Sequence, residues 1–586
     1  MIKKILNLDN IYFILAWLVP LIFYWQAVAP TVQLEDSAEL TTAVLTWGIP
    51  HPSGYPLYVL LARSWSSLIG LTPWAVNLFS IGCAVLALAF VYKAARWWGA
   101  GSIGSLVATW LLAGWPAFWS QTIVAEVYSL HVLLLAMIIY LAARFKQSGS
   151  SYLVYVTSLL AGLAAGNHLL IIWLWPILVV YYYKFWTMID LAGRLRLLGV
   201  FFLASLVYLY LPWRAAQNPL LNWGQADNWF SFWHHVLRLG YNDIGWSALT
   251  GFKAGLIGSF ILDLLTGFGW PILLILFLGL VVGYKTYGKT IIFLLAVVVS
   301  QILPAVFLRQ YGWGLGVAFT YSVYWSGAIL ALAILVAVAI KALEEWLVKN
   351  NSLSKKQFQV WLAVIIILSL PVVSWYNNFW QLNYQADYWP EVYAEKLLSG
   401  LAPQAILFIW GEDYANDSLL FTIAYQKLVK RTRPDVTVVD GQIIFPFQLP
   451  NEAKDETDYW LNLWRYAYLT NRPLYGTRLP PNDIFLIGRQ DSYAYRIFAS
   501  LDQANQADLA VWLLPPEIWT QPRLLYYSGQ DYLAHLLYGQ ALALWQLGRP
   551  QPAQAFLQEA IYLDNELFSK DYWRFVKQRE YLNQLK

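Results

Sequence analysis

Residues 11–29 read IYFILAWLVPLIFYWQAVA, and this run decides the fold. It carries no charged side chain and has roughly the 20 apolar residues a helix needs to cross a bilayer core. Lys3 and Lys4 precede it, and at that length it reads as an uncleaved first span. Outward from it, apolar runs recur near 73–92, 103–119, 127–143, 152–166, 169–183, 197–212, 256–283, 290–308, 318–340 and 359–375. The expectation is a mainly α, polytopic membrane protein of about eleven transmembrane helices. Composition agrees, with 59% hydrophobic and 12% charged residues over 586, whereas soluble chains carry about twice that share of charge. The 33 Trp and 39 Tyr suit many helix ends at headgroup depth. Cys83, the single cysteine, excludes an intramolecular disulfide and a Cys-based zinc site. A net charge of +4 gives no reason to expect a nucleic-acid partner.

Basic residues set the expected orientation. With a cytoplasmic N-terminus, the inner loops hold Lys93, Arg96, Arg144, Lys146, Lys184, Arg194, Arg196, Lys285, Lys289, Lys341, Lys349, Lys355 and Lys356. The outer loops before the last span hold only Arg63, Arg214, Arg238, Lys253 and Arg309. Such a bias marks the inner side of an inner or plasma membrane. It puts everything after Trp375 on the non-cytoplasmic side, provided the number of spans is odd.

The expected organisation is a transmembrane domain over 1–377, a soluble non-cytoplasmic α/β domain over 378–525 and a helical hairpin over 526–586. In the soluble part, 405–410 and 436–440 read as buried strands with a helical pattern over 419–429 between them, and 484–487 and 509–514 as later strands. No Gly-x-Gly-x-x-Gly or P-loop sequence is present. Ala541, Gly548, Ala553 and Ala560 fit the small positions of one tetratricopeptide-like hairpin.

Candidate chemistry gathers in the outer loops. After the first span comes LEDSAEL (34–40), then GIPHPSGYP (48–56). Leu40, Ala43, Val44 and Trp47 give a short helix one apolar face, apt to lie along the membrane surface. That placement brings Asp36 to headgroup depth, where a carboxylate meets a lipid-linked substrate on one side and a water-borne acceptor on the other. The plainer reading is a capping box made by Asp36 and Glu39. His51 and Tyr55 lie in a bend stiffened by Pro50, Pro52 and Pro56, which also suits a simple turn. Glu126, Tyr128 and His131 open a membrane helix, so they need partners or a wet cavity; Glu126 alone would also favour a helix N-terminus. Asn167 and His168 form a tight outer hairpin. Arg214 ends a span and either snorkels or clamps a phosphate bidentately. If it only snorkels, the phosphate partner is to be sought at Arg63, Arg238, Arg309 or the outer histidines.

The combination EDSAEL (35–40), HPSGYPL (51–57), AEVYSLH (125–131), GNH (166–168) and YLPWR (210–214) resembles a family. It is the membrane proteins catalogued as domain of unknown function 2723, related to a eukaryotic transmembrane protein O-mannosyltransferase. Arg433-Pro434-Asp435-Val436 and Arg472-Pro473-Leu474-Tyr475 look similar to the soluble part of longer bacterial members. The resemblance implies the GT-C membrane glycosyltransferase architecture, a polyprenyl-phosphate sugar donor and an essential acidic residue in the first outer loop, which here is Asp36.

The expected activity is transfer of mannose or a similar hexose from that donor to a hydroxyl on a protein or glycan acceptor at the non-cytoplasmic face of the bilayer. Asp36 serves as general base. Glu39, His51, Tyr55, Glu126, Tyr128, His131, Asn167, His168 and Arg214 are the expected substrate-binding residues. No cofactor or metal is required, because one phosphodiester leaves, although Asp36, Glu39 and Glu126 have the oxygens to hold a divalent cation. Two other classes compete. A transporter or flippase would show internal repeats with broken spans in matching positions of two halves, and none is visible. A nonenzymatic envelope-assembly protein would leave the outer polar residues without a role.

Overall fold

The structure is a computed structural model that describes residues 8–239, 254–307, 322–350, 370–409, 414–440, 456–477, 486–513 and 528–563, with a few single positions between them. The chain forms two compact units, one of Met1–Pro30, Ile49–Pro219 and Gly224–Ala386, the other of Thr31–Gly48, Leu220–Trp223 and Asp387–Lys586.

In chain order the helices up to residue 381 are α1 (Leu8–Ala27), α2 (Asp36–Thr46), α3 (Pro56–Ile69), α4 (Pro73–Trp97), α5 (Ser102–Ala113), α6 (Pro116–Thr122), α7 (Tyr128–Ser148), α8 (Ser151–Ala165), α9 (Trp175–Tyr181), α10 (Tyr183–Met188), α11 (Leu191–Ser205), α12 (Tyr210–Ala215), α13 (Trp229–Val236), α14 (Ala254–Gly267), α15 (Gly269–Phe307), α16 (Ser326–Lys349) and α17 (Leu370–Gln381). All but α2 belong to the first unit. Proline opens α3, α4 and α6, where a missing N–H is no loss and a fixed φ suits the first turn. Thr72 caps α4 by accepting from the Ala75 N–H at 3.2 Å, and Asp190 caps α11 by accepting from Gly193 at 2.8 Å.

Among the described residues, 6 helical runs are long and apolar enough to cross a membrane: Leu8–Ala27, Pro73–Trp97, Tyr128–Ser148, Leu191–Ala215, Gly269–Pro304 and Ser326–Lys349. Shorter apolar helices at Ser102–Ala113, Ser151–Ala165 and Leu169–Tyr181 coincide with further expected runs. Residues 359–369 of the last expected run lie outside the described residues.

The most enclosed of the six long runs is α16, in which every residue from Ser326 to Ile340 is buried. Small residues let backbones close in on one another. A Cβ added at Gly104 would stand 3.1 Å from the Ala337 carbonyl oxygen, and one at Gly162 only 2.4 Å from that of Phe201. The two runs expected around Lys285 and Lys289 are divided differently, for α14 ends at Gly267 and α15 is helical throughout its 39 residues. Gly279 and Gly283 face Ala339 and Ala342, whereas Gln301 faces Gly327. α15 thus lies along α16 from Gly279 to Gln301, the interval that holds both lysines.

The second unit adds α18 (Trp389–Ser399), β1 (Ile406–Ile409), α19 (Tyr414–Ala424), β2 (Thr437–Asp440), α20 (Glu456–Leu469), β3 (Leu474–Gly476), β4 (Ile487–Asp491), β5 (Ala494–Phe498), α21 (Leu501–Gln506), α22 (Ser528–Gln546) and α23 (Pro550–Leu563). Its sheet has the order β2-β1-β3-β5-β4. β1 runs parallel to β2 and β3, with Ile406 opposite Thr437 and Leu474, and β5 is antiparallel to β3 and β4. The sequence ILFI of β1 is buried at every position, as a central parallel strand requires. α20 packs on it, with Tyr459 stacked on Phe408 at 5.0 Å and Trp460 edge-on at 4.7 Å.

The expected 405–410 strand, following helix and 436–440 strand are β1, α19 and β2. The expected strand over 509–514 contributes only an isolated bridge, Ser492 to Val511. Two motifs of the second unit turn out to be fasteners. Arg433 donates to the carbonyls of Leu398, Leu401 and Ala402 and to Asp435, while Arg472 donates to those of Gln404 and Ala405 and to Thr437. Each guanidinium satisfies carbonyls on the approach to β1. The α22–α23 hairpin turns at Gly548, φ 73, and buries Ala541, Ala553 and Ala560.

Candidate active site

The second unit positions Asp36 and Glu39. Both occupy the first turn of α2, where the exposed amides and the helix dipole favour a carboxylate. Their spacing of three residues puts them on one face, and a carboxylate oxygen of each lies within 4.8 Å of the other. The capping box does not form: the N-cap is Glu35, at φ 60, and no side chain caps the helix. Asp36 sits one residue too late for that role.

Residues 37–44 of α2 are all buried, so the helix is covered on more than the apolar face the sequence suggested. Glu35 N–H donates to Ser418 Oγ at 3.0 Å, the Gln33 amide to the Asp387 carbonyl at 3.0 Å, and Thr31 pairs with Glu391. Trp223 meets Phe421 at 5.9 Å. An added Cβ at Gly48 would lie 2.8 Å from Leu221, which explains a glycine where the helix hands over to the next segment. Together these contacts hold the Asp36–Glu39 turn against α18, α19 and the short 220–223 segment of its own unit.

The first unit brings most of the other expected residues into one aromatic and imidazole cluster. His51 Nε2 and the Tyr55 hydroxyl are 2.8 Å apart. The Tyr55 ring stacks on His168 at 6.1 Å, and His168 in turn contacts Tyr128 at 5.3 Å and His131 at 5.6 Å. Tyr324 closes the group against Tyr128 at 5.9 Å. His168 Nδ1 accepts from the Leu170 N–H at 3.2 Å, so its ring hydrogen, when neutral, is on Nε2. His131 Nε2 faces Gln301 Oε1 at 3.3 Å, and Asn167 donates to the Val127 carbonyl at 3.1 Å, fastening the 166–168 hairpin to the start of α7. Glu126 is 4% exposed and accepts from the Val127 N–H at 3.3 Å, beside Ser80, in keeping with its expected place at a helix start.

Two residues stand out that the sequence reading did not place in the cluster. Arg238 Nη1 donates to the Pro52 carbonyl at 2.7 Å and lies 3.4 Å from the Tyr55 hydroxyl, so a guanidinium joins the His51–Tyr55 pair. Arg214 instead bonds Gln217 and Tyr210 and lies over Trp213, all near its own helix end. Arg309 lies outside the described residues. His235 is the other, 1% exposed beneath the bend. Added Cβ atoms at Gly54 and Gly224, both at positive φ, would lie 3.1 and 2.3 Å from its ring nitrogens. Burial, then the charges of His51 and Arg238, push its pKa down to about 3, so it stays neutral beside the arginine. Only the aromatic-rich stretch around Trp229–Val236 marked this helix in the sequence, and that pattern says nothing of the histidine's place.

Residues 36–189 match the family model of the protein O-mannosyl-transferase TMEM260 N-terminal domain. The match opens on Asp36 and includes Glu39, His51, Tyr55, Glu126, Tyr128, His131, Asn167 and His168, and it bears out the resemblance read from the sequence. The protein O-mannosyl-transferase tmem260 of Dictyostelium discoideum is 22% identical over 560 residues, covering 84% of this chain and 62% of the relative. Protein O-mannosyl-transferase TMEM260 of Mus musculus is 22% identical over 437 residues, covering 72% of this chain and 61% of the relative. The chain thus spans less than two thirds of the length of these TMEM260 relatives. Among solved structures, ArnT from Cupriavidus metallidurans bound to undecaprenyl phosphate superposes with a TM-score of 0.51 at 14% identity, over 83% of this chain and 97% of that one. Its apo state gives 0.50 at 13% identity, over 84% and 98%. The fold is therefore the expected GT-C type, in an integral membrane protein.

Proposed function

We propose that the protein is a membrane glycosyltransferase that moves mannose or a similar hexose from a polyprenyl-phosphate donor to a hydroxyl acceptor on the non-cytoplasmic side. The observation that carries this reading is the Asp36–Glu39 carboxylate pair on the first turn of a buried helix, at the start of the TMEM260-like segment. In the proposed step the acceptor hydroxyl gives its proton to Asp36 while its oxygen bonds the anomeric carbon. The bond from that carbon to the phosphate oxygen breaks, its electron pair leaves with the polyprenyl phosphate, and the anomeric centre inverts. Arg238 supplies the positive charge for the departing phosphate in preference to Arg214, because it is the arginine held at the His51–Tyr55 pair. Glu39 and the cluster around His168 shape the binding of sugar and acceptor.

The test is a transfer assay with polyprenyl-phosphate mannose. Asp36→Asn should lower turnover by about 100-fold or more, the scale of losing a general base, with extraction and melting unchanged. Turnover within a few-fold of wild type would remove Asp36 from the reaction.

A further inference from the structure

Sixteen residues along α7 from Tyr128, or about 24 Å at 1.5 Å per residue, lies a second polar cluster that the proposed reaction does not use. Arg144 lies over the Trp97 ring at 4.3 Å and donates to the Tyr140 hydroxyl at 2.8 Å. Lys146 lies 5.3 Å from the Trp98 ring and donates to Thr290 Oγ1 at 2.8 Å. Lys289, beside Thr290, is near enough for its charge to act on Lys146.

Among the described residues no carboxylate pairs with any of the three cations. Asp9 is taken by Arg96 at 3.0 Å, and Glu344 and Glu345 by Lys341 at 3.4 Å. Donors are in excess as well: Arg144 Nε and the indole nitrogen of Trp98, a residue only 2% exposed, are buried without an acceptor among the described residues. Like charges brought together beside unsatisfied donors raise the energy unless an anion completes the group. The frame is prebuilt, since Trp98 stacks on Phe293 at 5.1 Å and meets Tyr181 at 6.3 Å, and Gln147 donates to the Trp97 carbonyl at 2.6 Å.

We propose that Arg144, Lys146 and Lys289, with Trp97 and Trp98, seat the phosphate headgroup of an anionic bilayer phospholipid. A guanidinium and two ammoniums suit a phosphodiester, and indole rings are at home at headgroup depth. The acyl chains have an apolar wall on the helix that carries Tyr181, where Val179 and Val180 are 68% and 77% exposed. Setting membrane orientation accounts for positive charge at this end of the unit, but not for the seating of two α7 cations on one pair of indoles, with Lys289 of α15 close to one of them.

The test is native mass spectrometry of the full chain in neutral detergent with equal amounts of phosphatidylglycerol or phosphatidylcholine. Wild type should retain phosphatidylglycerol at least about tenfold better. Lys146→Gln with Lys289→Gln should lose that preference, and Lys146→Arg should keep it. Should the double variant fold poorly, the wild type carries the test alone, because phosphatidylglycerol should raise its melting temperature and 0.5 M salt should reduce that rise. Equal retention of the two lipids, full retention by a folded double variant, or displacement of phosphatidylglycerol by an equal concentration of glycerol phosphate would each overturn the proposal, the last by showing a site for free phosphate.

Discussion

Arg238→Lys separates a phosphate-binding fork from a mere positive charge. One terminal nitrogen of Arg238 reaches the Pro52 carbonyl at 2.7 Å and the Tyr55 hydroxyl at 3.4 Å, while the rest of the planar fork carries further donors in fixed geometry. Lysine keeps the charge and offers a single nitrogen, so it can hold the bend or the phosphate but not both. The loss of one charge-assisted hydrogen bond is about 1.5 to 3 kcal/mol, or roughly 10- to 150-fold. Arg214→Lys is the built-in comparison. Its side chain bonds neighbours at its own helix end, and an exposed pair of that kind is worth about 0 to 1 kcal/mol, under about 5-fold. The assay varies polyprenyl-phosphate mannose at equal expression and follows turnover, with melting temperature as the folding control. If Arg238→Lys matches wild type, or Arg214→Lys falls further than Arg238→Lys, the assignment of the phosphate to Arg238 is wrong.

Three further outcomes are expected. Gly224→Ala should lower the melting temperature markedly, since its Cβ would lie 2.3 Å from His235; Gly149→Ala, also at positive φ but with nothing within 4 Å, should cost only about 1 to 2 kcal/mol, and equal losses would refute the packing argument. Reporter fusions after Asn377 and after Lys349 should report opposite sides of the membrane, and the same side for both would overturn the expected orientation. Hydrogen bonds from Arg433 and from the Gln404 N–H hold the Asp435 carboxyl well below the usual carboxylate range. A depressed pKa stabilises the folded state above the unfolded value of about 3.9 and loses that contribution as pH falls through the folded one. The deficit of Asp435→Asn in thermal unfolding should therefore be constant from pH 7 to about 5 and shrink in stronger acid; a deficit independent of pH would rule out the ion pair as its source.

The membrane architecture was legible because a helix in hydrocarbon must be long and apolar, a property that survives without any knowledge of packing. The β1–α19–β2 unit was legible for a related reason, as strands buried on both faces read as apolar runs. By contrast β3 has three residues and β5 carries Arg496 in its middle, so neither shows a period, and their strand state comes from partners in the sheet. The turn with Asp36 and Glu39 announced itself by two acids ahead of an apolar pattern, but the capping box that was its plainer reading does not form, because the helix begins at Asp36 instead of after it. Arg238 was visible only as one outer-loop cation among several. What singles it out is a contact with residues 183 and 186 positions earlier, and no local pattern encodes a separation of that size.

The fastening of α2 has a consequence for synthesis. Glu35 and its hydrogen-bond partner Ser418 are 383 positions apart in the chain. At about 5 to 20 residues per second, a ribosome needs roughly 20 to 75 s between making one and making the other. For most of that interval the turn with both acids exists without α18 and α19, while the spans that lie between them in the sequence are already being inserted. A pause, a premature stop or a nick before residue 418 would thus leave a protein with every early span in place and its acidic helix undocked. Such products should be the ones that membrane quality control removes first, even though nothing in their apolar segments is faulty.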